Sequence, residues 1–412
     1  MPELDLHCKN KSFFQLKMII MKRIIGVLTL SIIALGLFAQ ENDTPKNMAE
    51  DLMSRESKLT IGGYGSIDFN QPLNSDVIQN GTLDVHRMVL MFGYKFNDRT
   101  QFVTEIELEH VKEVFVEQAF LDYKINDFIH FRGGLMLIPM GIINQYHEPT
   151  TFNGVERPII DGAIAPTTWR EIGAGFTGNI KEASLKYQLY VVNGFNGYNG
   201  VGTLRGKDGL RKGRQKGAES FMSSPNITAR VDYYGISGLS LGISGYFGKS
   251  QSTMYNGINK NNETEIAVAD STVVGISMIG LDARYSIKGF QLRGQYYFTG
   301  LSNTDQYNKK TGKDLGKTMT GFYAEAGYNI FHSFQNIKTE LIPFVRYQTL
   351  NTHASVTNEM ITNDSYKIDE IAFGLGWKMS KGAMLKADMQ LLKSKADDNY
   401  KKTLNIGIAI WF

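Results

Sequence analysis

Cysteine is nearly absent from this sequence: its 412 residues include a single cysteine, Cys8, together with 9 prolines and 3 tryptophans. Cys8 precedes an N-terminal apolar run, and no cysteine follows that run. Disulfides, thiolate metal sites and cysteine nucleophiles are therefore excluded from the rest of the chain. A second long apolar run is also missing, and the mean hydropathy is -0.22. The chain beyond the run therefore has no room for a bundle of apolar membrane-spanning helices.

No set of catalytic residues can be assembled from the sequence. The 7 histidines are scattered, and no pair has the HExxH spacing of a zinc protease. A phospholipase at the lipid boundary would need a Ser–His pair on the outer face of a barrel. His86 and His110 fit that boundary, but neither has an evident serine partner. We predict a protein that is not an enzyme and that uses no cofactor or metal ion.

The one long apolar run, Ile24 to Phe38, has the features of a cleavable signal peptide. Met21-Lys22-Arg23 supplies the positive region before it, and the small residue Ala39 ends it. We predict translation from Met21, a signal peptide over residues 1–39 and a short periplasmic segment over 40–58. The remaining chain then carries 39 basic and 39 acidic side chains. The basic pI of the whole sequence is therefore no indication of nucleic-acid binding.

Glycine and the aromatic residues are abundant, with 42 Gly, 20 Tyr and 24 Phe. This composition is typical of many twisted strands joined by tight turns. From Leu59 to Phe412, apolar and polar residues alternate with a period of two. The last segment shows it most clearly, because one face carries Leu404, Ile406, Ile408, Ile410 and Phe412. Successive side chains of a strand point to opposite faces, so this face is entirely apolar.

The alternation and the turn signals together predict sixteen strands. They are about 10 to 14 residues long, which suits tilted membrane strands of about 9 to 11 residues better than soluble sheets of 5 or 6. Short connections alternate with connections that are mostly long and polar, as in bacterial outer-membrane barrels with both termini in the periplasm. Because lipid cannot satisfy an open sheet edge, the sheet must close. We predict an all-β fold, a 16-stranded antiparallel transmembrane β-barrel over residues 59–412, with these strands: 59–69, 83–96, 100–110, 114–125, 128–137, 170–180, 183–195, 225–235, 238–248, 272–287, 289–301, 318–332, 337–350, 366–379, 382–393 and 402–412.

The polar faces of the predicted strands carry ionisable side chains of both signs. So many charges on one side indicate a water-filled lumen, because a buried unpaired charge is very costly, and sixteen strands leave room for a channel. The alternative for each residue is an ion pair that only stabilises the wall. The set comprises Arg87, Lys95, Arg132, Lys186, Arg230, Arg284, Arg293, Arg346, Lys378 and Lys386 with Glu105, Glu107, Glu109, Asp122, Asp232, Asp282, Glu325, Glu370 and Asp388.

The connection 138–169 differs from the other loops. It contains four of the nine prolines and several isoleucines, so it can pack rather than extend into solvent. We predict that it folds into the barrel as a constriction loop. The predicted pore lining is then Arg132, Arg157, Arg170, Glu156, Glu148, Arg87, Arg293 and Arg346. The alternative is a compact external Ω-loop.

A run of basic residues marks the connection 196–224: Arg205, Lys207, Arg211, Lys212, Arg214 and Lys216. Interleaved glycines predict a flexible loop that faces outward. Three interpretations remain open: the loop concentrates anions at the channel mouth, binds anionic lipopolysaccharide, or is merely solvated. We expect Lys212 and Arg214 to affect selectivity less than Arg157 and Arg170.

Several motifs between Val114 and Phe195 carry a family resemblance. They read VEQAFLDY at 116–123, FRGG at 131–134, IPMG at 138–141, Glu156-Arg157, WREIG at 169–173 and VNG at 192–194. This stretch resembles the phosphate-selective porin O and P family. The resemblance implies a 16-stranded channel, usually a homotrimer, with an inward-folded constriction loop lined by arginines and a preference for anions such as phosphate.

The leading functional prediction is a porin of the Gram-negative outer membrane, through which small anionic or neutral hydrophilic solutes diffuse passively. Its partners would be outer-membrane lipid and lipopolysaccharide, and the assembly machinery that recognises a terminal aromatic residue, here Phe412. The alternative from another class is a structural or adhesive barrel with a blocked pore, whose loops bind a partner.

Overall fold

The computed structural model describes residues 46–73, 77–357 and 360–412. The predicted signal peptide and the beginning of the predicted 40–58 segment lie outside these ranges. Over the described residues the chain is almost entirely β-structure with short helices between strands.

Sixteen of the strands form a closed antiparallel barrel in which each strand pairs with its neighbour in sequence, and the first pairs with the last. The barrel strands are β1 (Leu59–Pro72), β2 (Thr82–Lys95), β3 (Thr100–Glu109), β4 (Glu113–Lys124), β5 (His130–Leu137), β6 (Arg170–Ile180), β7 (Leu185–Val192), β9 (Asn226–Ile236), β10 (Leu239–Lys249), β12 (Gly275–Ile287), β13 (Phe290–Ser302), β14 (Thr318–Tyr328), β15 (Glu340–Ser355), β16 (Lys367–Ser380), β17 (Ala383–Ser394) and β18 (Lys401–Trp411). Two short strands, β8 (Asn196–Tyr198) and β11 (Gln251–Ser252), pair in parallel outside the barrel sheet.

All sixteen predicted strands are confirmed, and β6 has the predicted bounds. The largest difference falls between β14 and β15, where β14 ends four residues early, at Tyr328, and β15 begins only at Glu340. The Asn329 side-chain oxygen accepts hydrogen bonds from the Phe331 N–H (3.1 Å) and the Leu341 N–H (3.2 Å). This local bonding replaces the strand ladder, so the turn is longer than the alternation indicated.

Five α-helices occur in the described residues: α1 (Met48–Ser54), α2 (Gly141–Gln145), α3 (Ile160–Ala163), α4 (Glu263–Asp270) and α5 (Thr304–Thr311). None of these described helices is long and apolar enough to cross a membrane.

The barrel wall is apolar outside and polar inside. In β18 the side chains of Ile406 and Ile408 are 46% and 43% exposed, whereas Asn405 and Ala409, which flank them in sequence, are buried. The same alternation holds in β13, where Leu292 and Phe298 are exposed while Gln295 is buried. An apolar outer surface of this extent matches a lipid environment, not water.

Many of the predicted lumen charges form ion pairs along the wall. Arg230 lies between two carboxylates, with Nη2 2.6 Å from Asp232 Oδ1 and Nη1 2.8 Å from Asp282 Oδ2. Arg346 similarly contacts Glu325 (3.6 Å) and Glu370 (3.4 Å). Arg346 thereby joins β15 to both of its neighbouring strands, and Arg230 links β9 to β12 across the intervening β10, so these pairs stabilise the wall.

The constriction loop, residues 138–169, folds into the barrel as predicted, and the alternative of an external Ω-loop is wrong. Two hydrogen bonds join its backbone to the barrel wall: the Val155 N–H donates to Asp388 of β17 (2.7 Å), and the Ile159 N–H donates to Gln348 of β15 (2.8 Å). Most of its apolar side chains, including Ile160 and Ile164, are buried. The loop therefore crosses the lumen rather than extending into solvent.

Helix α1 also lies inside the barrel. Its residues Met48, Ala49 and Leu52 are buried against the inner face of β1 and β2. Asn47 caps the helix, accepting from the Glu50 N–H at 3.0 Å. The sequence predicts only a short periplasmic segment here and gives no indication that part of it occupies the lumen.

Candidate functional site: a channel constriction

A cavity of about 400 Å³ lies between the constriction loop and the wall formed by β1, β2, β3 and β18. We call it the eyelet cavity. Residues of both signs line it, from the wall, the constriction loop and the connection 196–224. The charged members are Asp68, Arg87, Glu107, Glu109, Glu156, Arg157, Asp161, Arg170, Arg211, Arg214, Lys216 and Lys386.

Arg157 lies in the middle of the constriction loop and borders the eyelet cavity. Its Nη2 donates to the His147 carbonyl at 2.9 Å, and among the described residues no carboxylate contacts its guanidinium. Burial, and then the neighbouring charge of Arg87, lower the pKa of Arg157 to about 10. The group remains cationic at neutral pH without a direct counter-charge.

Arg170 and Arg87 border the same cavity, but each has a carboxylate partner. Arg170, at the start of β6, is buried, and its Nη1 lies 3.1 Å from Glu117 Oε1. Arg87 on β2 lies 3.3 Å from Glu107 Oε1. Their charges are therefore largely neutralised within the wall.

Glu156 brings a carboxylate to the rim of the eyelet cavity. Its Oε1 accepts from Asn70 Nδ2 at 3.0 Å, and its backbone carbonyl accepts from Arg346 Nη2 at 3.2 Å. The Glu156 carboxylate, next to Arg157 in sequence, is thus bonded to β1, one of the strands that form the cavity wall.

The connection 196–224, which we call the basic loop, differs from the expectation of a flexible, outward-facing segment. Arg214 Nη1 donates to the Thr167 carbonyl at 2.7 Å, and Arg211 Nη1 donates to the same carbonyl at 3.3 Å. Lys216 lies over the Phe115 ring at 4.4 Å. Lys212, by contrast, is exposed as predicted. The basic loop therefore packs onto the constriction loop and brings three cations to the eyelet cavity.

Sequence reasoning missed this arrangement although one signal was available. Leu204 and Leu210 are apolar residues within the basic loop, and both are fully buried. Gly213 permits a close approach, since a Cβ there would lie 2.7 Å from the Asn196 carbonyl oxygen. Apolar residues spaced through a basic segment indicated packing, whereas the glycines had suggested flexibility.

Four other predicted pore residues lie away from the eyelet cavity. Arg132 pairs with Asp122 (3.0 Å) beside α1, and Glu148 accepts from the Met48 N–H at 2.6 Å. Arg293 and Arg346 both contact Glu325, on the wall opposite β3. The eight predicted residues therefore divide into four at the cavity (Arg87, Glu156, Arg157, Arg170) and four elsewhere in the lumen.

A buried cluster separates the eyelet cavity from α1. The ligating atoms of Glu105, Glu117 and His147 lie within 4.8 Å of one another, a spacing that could hold a metal ion. However, the carboxylates already accept hydrogen bonds from protein donors, including Gln118 Nε2 to Glu105 and Arg170 Nη1 to Glu117. Although burial lowers it, these carboxylates hold the pKa of His147 above its usual value. The two carboxylates thus favour the protonated form of His147.

One sequence pattern needs a structural interpretation. Residues 238–242 read GLSLG, which in hydrolases marks a serine on a strand-to-helix turn. Here these residues begin β10 within a hairpin, and among the described residues no histidine contacts Ser240. The pattern therefore lacks the structural context of a nucleophile.

The closed 16-stranded barrel with an inward loop defines the fold as that of an outer-membrane porin. Solved porins share it: OmpF of Salmonella typhi (TM-score 0.56, 13% identity, covering 86% of this chain and 97% of that one), an anion-selective porin from Comamonas acidovorans (0.55, 14%, 86% and 99%) and the channel DcaP of Acinetobacter baumannii (0.55, 9%, 86% and 97%). At these identities the similarity concerns the fold alone.

The chain belongs to the same family as an uncharacterized protein of Aquifex aeolicus. The two are 32% identical over 348 residues, which cover 80% of this chain and 74% of that protein. No family model matches the chain, so membership of the phosphate-selective porin O and P family stays a prediction.

Proposed function

We propose that this protein is an outer-membrane porin through which small hydrophilic solutes diffuse, with a preference for anions such as phosphate. The observation that carries the anion preference is the group of four cations that the constriction loop and the basic loop bring to the eyelet cavity, Arg157, Arg211, Arg214 and Lys216. Within the described ranges, none of the four has a carboxylate partner. No chemical step is involved, because selectivity comes from pore width and the charge of the lining.

The lowered pKa values of the loop cations fit the absence of a carboxylate in contact with them. Burial, and then the neighbouring Arg211, lower the pKa of Arg214 to about 9. Burial, followed by Arg214 and Arg170, also lowers the pKa of Lys216. A passing anion would supply the missing counter-charge, and a cation would add to the repulsion.

The location of the protein follows from the same proposal. The apolar outer wall would contact outer-membrane lipid and lipopolysaccharide, with residues 1–39 removed as a signal peptide and Met21 as the start. The assembly machinery would recognise Phe412, whose N–H donates to the Gly63 carbonyl at 2.9 Å in the seam that closes the barrel. Assembly as a homotrimer is part of the proposal.

Planar-bilayer recording tests the proposal directly. Purified protein should give single-channel steps, and in a KCl gradient the reversal potential should have the sign of an anion-preferring pore. Inorganic phosphate should reduce the chloride current at low salt if it occupies the eyelet cavity, whereas sodium replacing potassium should have little effect. Channels that strongly prefer cations would contradict the anion assignment while leaving the porin fold intact.

A barrel with a blocked pore that binds a partner through its loops is the second candidate. The observation in its favour is that both the constriction loop and α1 occupy the lumen. Complete absence of conductance in correctly folded protein, over a range of voltage and salt, would favour this candidate over the porin.

A further inference from the structure

Helix α1 lies on the periplasmic side of the eyelet cavity, along the same part of the wall. The cavity is lined on one side by Ser66 and Asp68 of β1 and by Arg87 of β2. Met48 and Leu52 of α1 pack on these two strands nearer their periplasmic ends, against Gly62 of β1, where a Cβ would lie 2.9 Å from Met48 Sδ. Along this wall the helix therefore lies below the buried cluster of Glu105, Glu117 and His147, which separates it from the cavity.

The space that remains between α1 and the wall is too small for a hydrated solute. A gap of about 20 Å³, lined by Asn47, Glu50, Arg132 and Tyr190, is left beside the helix. Such a volume holds about one water molecule. A wider space of about 540 Å³ lies under the constriction loop toward β10, β12 and β13, and Lys46 just before α1 borders it. The position of this one segment thus determines how much of the periplasmic half of the lumen is open.

Polar contacts hold α1 in place, and several of them reach the constriction loop. The Met48 N–H donates to Glu148 at 2.6 Å, and Asn47 Nδ2 donates to the Gln145 carbonyl at 3.1 Å. On the wall side, Glu50 forms an ion pair with Lys186. The helix is therefore linked to the loop that forms the constriction and to the wall of β7.

Because these contacts are few and the helix is short, α1 can detach from the wall. It has seven residues, of which three are buried, and an isolated helix of this length is not stable in water. The segment that follows it, residues 56–59, is exposed. The capacity of the helix to stay inside the barrel rests on a few contacts that compete with water.

We propose that α1 is a displaceable inner gate of the channel: docked, it narrows the periplasmic half of the lumen below the eyelet cavity, and withdrawn, it widens it. This inference rests on the proposed porin function. The Glu50–Lys186 ion pair is the contact that can be altered without changing the helix or the constriction loop.

Lys186→Glu is the test variant, because it opposes Glu50 with a like charge and leaves α1 untouched. Glu50→Lys combined with Lys186→Glu restores the pair with its polarity reversed. Lys378→Glu is the matched control, since it makes the same charge change on a half-buried lumen lysine that borders the space under the loop, not α1. In planar bilayers we expect Lys186→Glu to give larger single-channel steps than the unaltered protein, the double variant to return to the original value, and Lys378→Glu to leave the step size near the original.

A second measurement reports the position of the helix independently of conduction. Ala49→Cys places a thiol on the buried face of α1 in a chain that has no other cysteine after residue 39. We expect a water-soluble maleimide to label it roughly tenfold faster or more in the Lys186→Glu background, because breaking a partly buried ion pair raises the open population. The exposed Ser57→Cys should label at the same rate in all backgrounds.

The outcomes separate the gate from the porin. Conduction by the unaltered protein with unchanged step size and unchanged Ala49→Cys labelling in Lys186→Glu would overturn the gate and leave the porin proposal standing. If neither the unaltered protein nor any folded variant conducts, both the gate and the porin proposal would be overturned. Faster labelling and larger steps that the double variant reverses would support the gate, including the case in which the unaltered protein conducts only weakly.

Discussion

Replacing Arg157 by glutamate tests whether the eyelet cavity is the selective constriction. A sphere of about 400 Å³ has a radius of roughly 5 Å, so an ion at its centre lies roughly 5 Å from the lining. At that distance a unit charge changes the energy of a monovalent ion by roughly 0.8 kcal/mol in water. Arg157→Glu changes the charge by two units and acts with opposite sign on anions and cations. Before screening, the selectivity between them would change by roughly 3 kcal/mol.

Salt reduces this effect in a way that can be calculated. With a screening length of about 10 Å at 0.1 M and about 3 Å at 1 M, roughly 2 kcal/mol survives at the lower concentration and roughly 0.6 kcal/mol at the higher one. The anion-to-cation permeability ratio should therefore fall by about 30-fold at 0.1 M and by about threefold at 1 M. Reversal potentials in salt gradients measure both values.

Two controls make the result interpretable. Lys212→Glu makes the same charge change on an exposed residue of the basic loop and should shift the ratio much less. Arg157→Gln removes one charge and should give about half of the free-energy change of Arg157→Glu. For Arg170 the neutral change to glutamine is the informative one, because a glutamate there would face Glu117 in a buried site. A ratio that stays within about twofold of the original in Arg157→Glu at 0.1 M, with normal step size, would show that the eyelet cavity is not the selective constriction.

Four further predictions concern other parts of the molecule. Arg214→Glu should lower the permeability ratio about as strongly as Arg157→Glu, because Arg214 borders the same cavity; an effect no larger than that of Lys212→Glu would contradict this. Deleting Phe412 removes both hydrogen bonds to Gly63 in the closing seam, so the heat-modifiable, folded fraction in outer-membrane preparations should fall, and an unchanged fraction would show the residue to be dispensable. Arg230→Met leaves the lumen carboxylates of Asp232 and Asp282 facing each other, so it should lower the unfolding free energy measured in denaturant titrations by about 3 kcal/mol. A loss under about 1 kcal/mol would mean that water already screens the two carboxylates from each other. Burial raises the pKa of Asp161 to about 7 from its usual 3.8, so the folded state binds the extra proton and stability should decrease as pH rises from about 4 to about 7. Asp161→Asn should reduce the fall of the thermal midpoint over that range, and an identical pH slope in both proteins would exclude Asp161 as a source of it.

The strands were predictable from the sequence because a local rule specifies them. In β18 every second residue is apolar, and a side chain on the outer face meets lipid whatever the rest of the chain does. The constriction loop could be placed inside the barrel for a related reason, since the isoleucines that it carries need burial. Its actual contacts could not be predicted, because they join residues as distant in sequence as Val155 and Asp388.

The basic loop and α1 show where composition misleads. Arg211 and Arg214 donate to backbone carbonyls of the constriction loop, and such acceptors exist at every residue, so no pattern in the sequence identifies them. The sequence of α1 shows neither the period-two alternation of a strand nor the apolar pattern of a long amphipathic helix. The position of α1 depends on Glu148 and Lys186, which are about 100 or more residues away in sequence. The sequence therefore predicts a flexible, outward-facing loop and a short periplasmic segment, whereas both segments line the lumen.

Pairing, rather than number, decides which lumen charges can select ions. The strand-borne arginines Arg87, Arg230 and Arg346 all contact carboxylates, so the field that each produces in the lumen is largely cancelled by a neighbour in the wall. Arg157 and Arg214 have no such partner among the described residues, and they lie on two loops that pack against each other. The balanced charge of the wall is thus compatible with an anion preference, because the preference would come from the loops. A barrel built in this way can change its selectivity by substitutions in the loops while the ion pairs that hold its strands together stay unaltered.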